Sequence, residues 1–187
     1  SREVAFLVVH AGSGTTVRQQ GVLNVQHELR FAGLPESAVA IGTRYQMLDD
    51  SVTRAGSGWD VLQRYYETHR AEATWLWPPT PADDSFRSYY RMLMDFDPSS
   101  SWKRVTCPAL LFFGELDANV PPRESWPPIE RALRQAGNQR ITKILLPKAN
   151  HLFLEAQTGA RDEYPGLSRF VPGYFDAMAG WLQAQAP

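Results

Sequence analysis

The chain has 187 residues, enough for a domain with a buried core, and its 19 basic and 20 acidic side chains leave a formal net charge of −1. That balance supplies no electrostatic footprint for nucleic acid or an anionic membrane and suits a neutral or weakly charged small substrate. The single cysteine, Cys107, excludes an intramolecular disulfide, no Cys/His spacing fits a metal site, and no apolar run reaches the ~18 residues of a membrane span.

The apolar, β-rich run between Val4 and Val9 predicts a first strand, closed by His10 and the turn Ala11-Gly12-Ser13-Gly14. The turn can also be read as an oxyanion loop after an early strand, or, with Thr15 and Thr16, as a phosphate loop. The second reading lacks the terminal Gly-Lys-Ser/Thr, so no cofactor is expected. His10 reads as a loop residue bordering a cleft. No basic, apolar leader pattern opens the chain, so the expected compartment is the cytoplasm.

From Thr16 to about Pro98 the pattern is helical. Val22, Val25 and Leu29 share a face of a first helix that Gly33 stops; Pro35 and Glu36 open a second running to about Arg54; Trp59 to Trp75 makes a third. A Pro-rich connection leads to a fourth, from Asp84 to Met94, with Asp83 or Asp84 as its N-cap. The division expected is residues 1–14 for the first strand and turn, 15–98 for a helical insertion, and 99–187 for the remaining core.

Beyond Cys107 the apolar run from Ala109 to Phe113, closed by Gly114, suits a strand buried on both faces of a parallel sheet. A second run, Ile141 to Leu146, ends at Pro147. Between them a helix is predicted from Pro127 to Gly137. A last helix opens near Pro172, with Tyr174, Phe175, Met178, Trp181 and Leu182 on its packing face. The fold class expected is therefore α/β, with about three mainly parallel strands and flanking helices. Asp117 and His151 each fall just beyond the carboxyl end of a strand, where open α/β sheets place their chemistry. A carboxylate can there orient an imidazole that takes a proton from a Ser or Cys nucleophile. Glu115 is the rival acid, and Cys107, at a strand entrance, reads as an inert thiol.

Two stretches carry a family resemblance: FGELDANVPP around Asp117 and ANHLF around His151. From Trp102 onward the chain resembles the C-terminal part of the α/β-hydrolase superfamily, especially bacterial esterase and serine-peptidase-like members. The resemblance implies Asp117 as triad acid and His151 as triad base, in the family order of nucleophile, acid, histidine. It also implies that residues 15–98 form a cap over the substrate, with Trp59, Tyr65, Trp75, Trp77 and Tyr89 as candidate substrate-binding aromatics. The family nucleophile lies in G-x-S-x-G, and no such motif occurs in the sequence; Ser13 and Ser57 lack its outer glycines.

The expectation is thus the C-terminal half of a serine hydrolase acting on an ester, amide or thioester, inactive alone because nucleophile and oxyanion hole lie elsewhere. An unpaired first strand would also allow association with a second copy, or with an N-terminal hydrolase half, through Val4 to Val9. A non-catalytic small-molecule-binding domain derived from a hydrolase is the third reading.

Overall fold

The computed structural model describes residues 4–185. The chain divides into two compact units, one formed by the residues up to Thr15 and from Asp97 on, the other by Thr16–Phe96.

The first unit is α/β. Strands β1 (Leu7–His10), β2 (Ala109–Gly114) and β3 (Ile141–Leu146) form a parallel sheet in that order. Leu7 pairs with Ala109 and His10 with Phe112, while Ala109 pairs with Ile141 and Gly114 with Leu146. The central strand reads Ala-Leu-Leu-Phe-Phe-Gly, buried throughout, as expected of a strand covered on both faces. Around it Ile129, Leu133, Leu146, Phe153, Val171 and Tyr174 complete the core.

Strand β1 differs from the expected run. It begins at Leu7, whose N–H bonds the Pro108 carbonyl, and extends to His10. Earlier pairing would place a strand beside Pro108, which has no N–H to give. After β2 the chain enters α6 (Pro122–Gln135) five residues before the predicted start. Pro122 fits the first helical turn, and Pro127-Pro128, read from sequence as a start signal, lie inside the helix. A short helix α5 (Ser99–Trp102) precedes β2, and α7 (Tyr174–Gln183) closes the unit behind a left-handed Gly173. Trp102 Nε1 donates to the Ser13 carbonyl at 3.2 Å, joining the segment that leaves β1 to the one that returns toward β2.

The second unit is helical: α1 (Val17–Phe31), α2 (Glu36–Ala55), α3 (Trp59–His69) and α4 (Ser85–Leu93). Thr16 and Gln19 form a capping box at the start of α1, and Asp84 caps α4 through the Phe86 N–H. Helix α3 stops at His69 rather than Trp75. Ala73 and Leu76 are buried from tight turns after the helix, so their three-residue spacing continues a helical pattern without helical backbone.

Arg87 organises this unit. Its side chain is 3 % exposed and donates to Asp49 Oδ1 at 2.8 Å, to Thr53 Oγ1, and to the Thr80 and Pro81 carbonyls. The guanidinium also lies 4.5 Å from the centre of the Trp59 ring. Helix α4 therefore buries a cation while Phe86, Tyr89 and Met92 are exposed. Among the described residues no helix is long and apolar enough to cross a membrane.

Candidate active site

Parallel strands bring the loops after β2 and β3 to one end of the sheet, and this places Asp117 beside His151. Asp117 is 1 % exposed. Its Oδ1 accepts the Val120 N–H at 2.8 Å, which fixes the carboxylate within its own turn. His151 Nδ1 lies 3.0 Å from Asp117 Oδ2 and 3.2 Å from Oδ1. The carboxylate, an acceptor only, requires the imidazole proton on Nδ1 and leaves the Nε2 lone pair available in the neutral ring. That hydrogen bond raises the histidine pKa above its usual value, against burial, which lowers it; the charge on Asp117 adds to the rise. With the His151 side chain 30 % exposed and the acid enclosed, the imidazole is the member of the pair that meets solvent.

The loop carrying His151 crosses the end of β2 at a distance only glycine permits. A Cβ at Gly114 would lie 2.5 Å from the Ala149 carbonyl oxygen and 2.6 Å from that of Asn150. Asn150 then braces the turn: fully buried, its Oδ1 accepts the N–H groups of Leu152 and Leu154 at 2.9 and 3.0 Å. Sequence reasoning missed Asn150 and Gly114. A glycine closing an apolar strand and an asparagine preceding a loop histidine were the available signals, and neither declares a partner.

Glu115, the rival acid, is exposed and accepts the Lys148 N–H at 3.0 Å. Cys107 is half-buried at the amino end of β2. Six residues of strand at ~3.3 Å each separate that end from the one bearing Asp117, so the thiol is out of reach of His151. Ser13 Oγ is held by Thr15, donating to its carbonyl and accepting its N–H. His10, read from sequence as a loop residue, is the last residue of β1; its Nδ1 lies 2.6 Å from the Tyr174 hydroxyl.

The five candidate aromatics do not form one set. Trp59 lies beneath Arg87, Tyr65 donates to the Ile41 carbonyl at 3.2 Å, and the Trp75 ring lies 3.2 Å from where a Cβ on Gly42 would stand. Tyr65 also lines an open groove of about 270 Å³ with Arg44, Leu48, Val61, Arg64 and Thr68. Trp77 and Tyr89, by contrast, are exposed by 76 % and 58 %. Among the described residues no three His, Cys, Asp or Glu side chains converge in a way that could hold a metal ion.

Comparison with known proteins places the chain in a family. No curated protein matches the sequence. A crystal structure described as "Putative non-heme bromoperoxidase BpoC" from Mycobacterium tuberculosis is similar over 98 % of this chain and 59 % of its own, at 18 % identity and a TM-score of 0.42. The chain therefore spans about three fifths of the length of that protein. The sequence model of the Prolyl oligopeptidase family matches residues 52–177, well over half of the chain, which includes β2, β3, Asp117 and His151. The chain is an α/β-hydrolase that belongs to the prolyl oligopeptidase family.

Proposed function

We propose that the protein serves acyl transfer to water, with His151 as general base and Asp117 as the acid that orients it. The observation that carries this reading is the hydrogen bond from His151 Nδ1 to the enclosed Asp117 carboxylate, on consecutive strand ends in the family's order. The nucleophile, a serine on a G-x-S-x-G turn, comes from a segment other than these 187 residues. The absence of the motif in the sequence and the placement of Cys107 at the far end of β2 support this reading. The substrate is an ester, amide or thioester; of the five candidate aromatics, Trp77 and Tyr89 are the exposed ones.

The test is hydrolysis of a short-chain nitrophenyl ester by the chain beside His151→Ala. The expected result is no His151-dependent turnover from the 187 residues alone, and turnover that depends on both serine and His151 when a G-x-S-x-G segment of the family is joined ahead of them. Turnover by the chain alone that vanishes with His151→Ala would place the nucleophile within it.

The second reading is association through β1. Among the described residues β2 is the only strand that pairs with β1, and Val4 and Phe6 beside it are 42 % and 37 % exposed. An open strand edge accepts another strand, from a second copy or from an N-terminal hydrolase half. A monomer by light scattering at high concentration, with no binding of such a half, would count against this reading.

A further inference from the structure

The turn that carries His151 is strained at one residue. Phe153 has φ 60°, a left-handed conformation that a bulky side chain rarely adopts. Its backbone is tied on both sides: the N–H donates to the Asn150 carbonyl at 3.0 Å, and the carbonyl accepts the Val171 N–H at 3.0 Å. Its ring, 4 % exposed, lies flat on Tyr174, with centroids 5.0 Å apart and planes 6° from parallel. The edge of His10 meets it at 5.5 Å and 86°, and Phe112 completes the cradle at 6.3 Å.

Two of these rings are locked to each other. The Tyr174 hydroxyl and His10 Nδ1 are 2.6 Å apart, joining the first turn of α7 to the end of β1. Burial raises the Tyr174 pKa and lowers that of His10, so near neutral pH the phenol keeps its proton and the neutral imidazole accepts it. The bond is then Oη–H to Nδ1. Without it the Tyr174 side chain, among the described residues, is held by ring packing alone, against Phe112, Phe153, Phe170 and Phe175.

We propose that His10 and Tyr174 are positioning residues: their hydrogen bond fixes the aromatic cradle that holds Phe153 in its left-handed turn, and that turn sets His151 Nδ1 against Asp117. The consequence for catalysis rests on the reading of Asp117 and His151 given above; the geometric claim is read directly from the histidine. Neither residue touches the reacting atoms in this scheme, and each acts only through where His151 sits.

The test is ring 15N–1H spectroscopy of the four histidines across pH, in the wild type and in Tyr174→Phe, His10→Leu, His10→Gln and Asp117→Asn. Tyr174→Phe keeps the stacked ring and removes only the donor. His10→Gln keeps an acceptor, in an amide oxygen, and His10→Leu does not. With amide dispersion intact, Tyr174→Phe and His10→Leu are expected to lose the low-field Nδ1–H resonance of His151 and to move its titration down toward an ordinary histidine. His10→Gln is expected to retain both. Unchanged His151 behaviour in Tyr174→Phe and His10→Leu overturns the proposal, as does a loss in His10→Gln equal to that in His10→Leu, which would assign the effect to ring packing. Should Tyr174→Phe fail to fold, the two His10 variants decide the matter. Asp117→Asn separates the two levels: if it leaves the His151 titration unmoved, the acid–base pair itself fails.

Discussion

At the scale of single residues the pair of Asp117 and His151 makes stability depend on pH in a direction that can be worked out. The folded pKa of His151 is raised, so its contribution is fully present below the unfolded histidine value of about 6.5 and is lost as pH rises through the folded value. His10, whose folded pKa is lowered, acts in the opposite sense: its contribution is present above that unfolded value and lost as pH falls. Comparing wild type with Asp117→Asn cancels His10 and keeps an acceptor for the Val120 N–H. Urea unfolding should show the wild-type advantage largest near pH 6 and smallest near pH 9, values chosen about the histidine range. An advantage that grows with pH would contradict the pairing. Gly114→Ala tests how the loop is held. The added methyl meets two carbonyl oxygens of backbone, not the end of a flexible side chain, so the loop of His151 must lift. The expected cost is about 1–3 kcal/mol, together with loss of the raised His151 titration. The pair itself was legible in the sequence because two short motifs follow two apolar strands. Gly114 and Asn150 were not, since close backbone approach and a buried amide acceptor are properties of the loop's path.

At the scale of elements the helices show where pattern and structure part. The ends of β2 and β3 and the cap of α4 by Asp84 were readable, because a short apolar run closed by Gly or Pro and a side-chain cap are local signals. The start of α6 was not: a Pro-Pro pair looks like a first turn, and here it sits within a helix already begun by Pro122. Helix α4 is the sharpest case. Arg87 is buried and Phe86 is 59 % exposed, the reverse of what residue type alone favours. The cause is the cluster from α2, α3 and the Pro-rich connection that supplies Arg87 with carboxylate, hydroxyl, carbonyl and ring partners at once. Removing it strands Asp49 and leaves two backbone carbonyls without their donor. Arg87→Ala should cost about 3–5 kcal/mol, as for other broken buried ion pairs. Arg87→Lys should recover only a small part, since an ammonium cannot serve several directions in one plane or lie as a flat cation on Trp59. Thermal unfolding of the two variants checks this, and a lysine variant as stable as wild type would show that charge alone suffices.

At the scale of the whole molecule the question is whether Thr16–Phe96 is needed for the core to form. Strands β1 and β2 are parallel neighbours, so the chain must return from the carboxyl end of one to the amino end of the other. The last part of that return lies within the core unit itself: Asp97 caps the Ser99 N–H at 2.8 Å, α5 follows, and Trp102 ties back to Ser13. A Cβ on Gly12 would come within 3.4 Å of the Trp102 ring, so the departing and returning segments are packed against each other without help from the helices between them. The core cluster likewise draws only on residues up to Ala11 and from Trp102 on. Replacing residues 16–96 by a short Gly/Ser bridge should therefore leave a folded core in which the His151 titration stays raised and Asp117→Asn still lowers it. Retention of both would assign the pair to the α/β unit alone. A chain that loses amide dispersion, or keeps it but titrates His151 as an ordinary histidine, would mean that the helices help to shape the loops at the end of the sheet. The assignment of catalytic geometry to the core would then have to be given up.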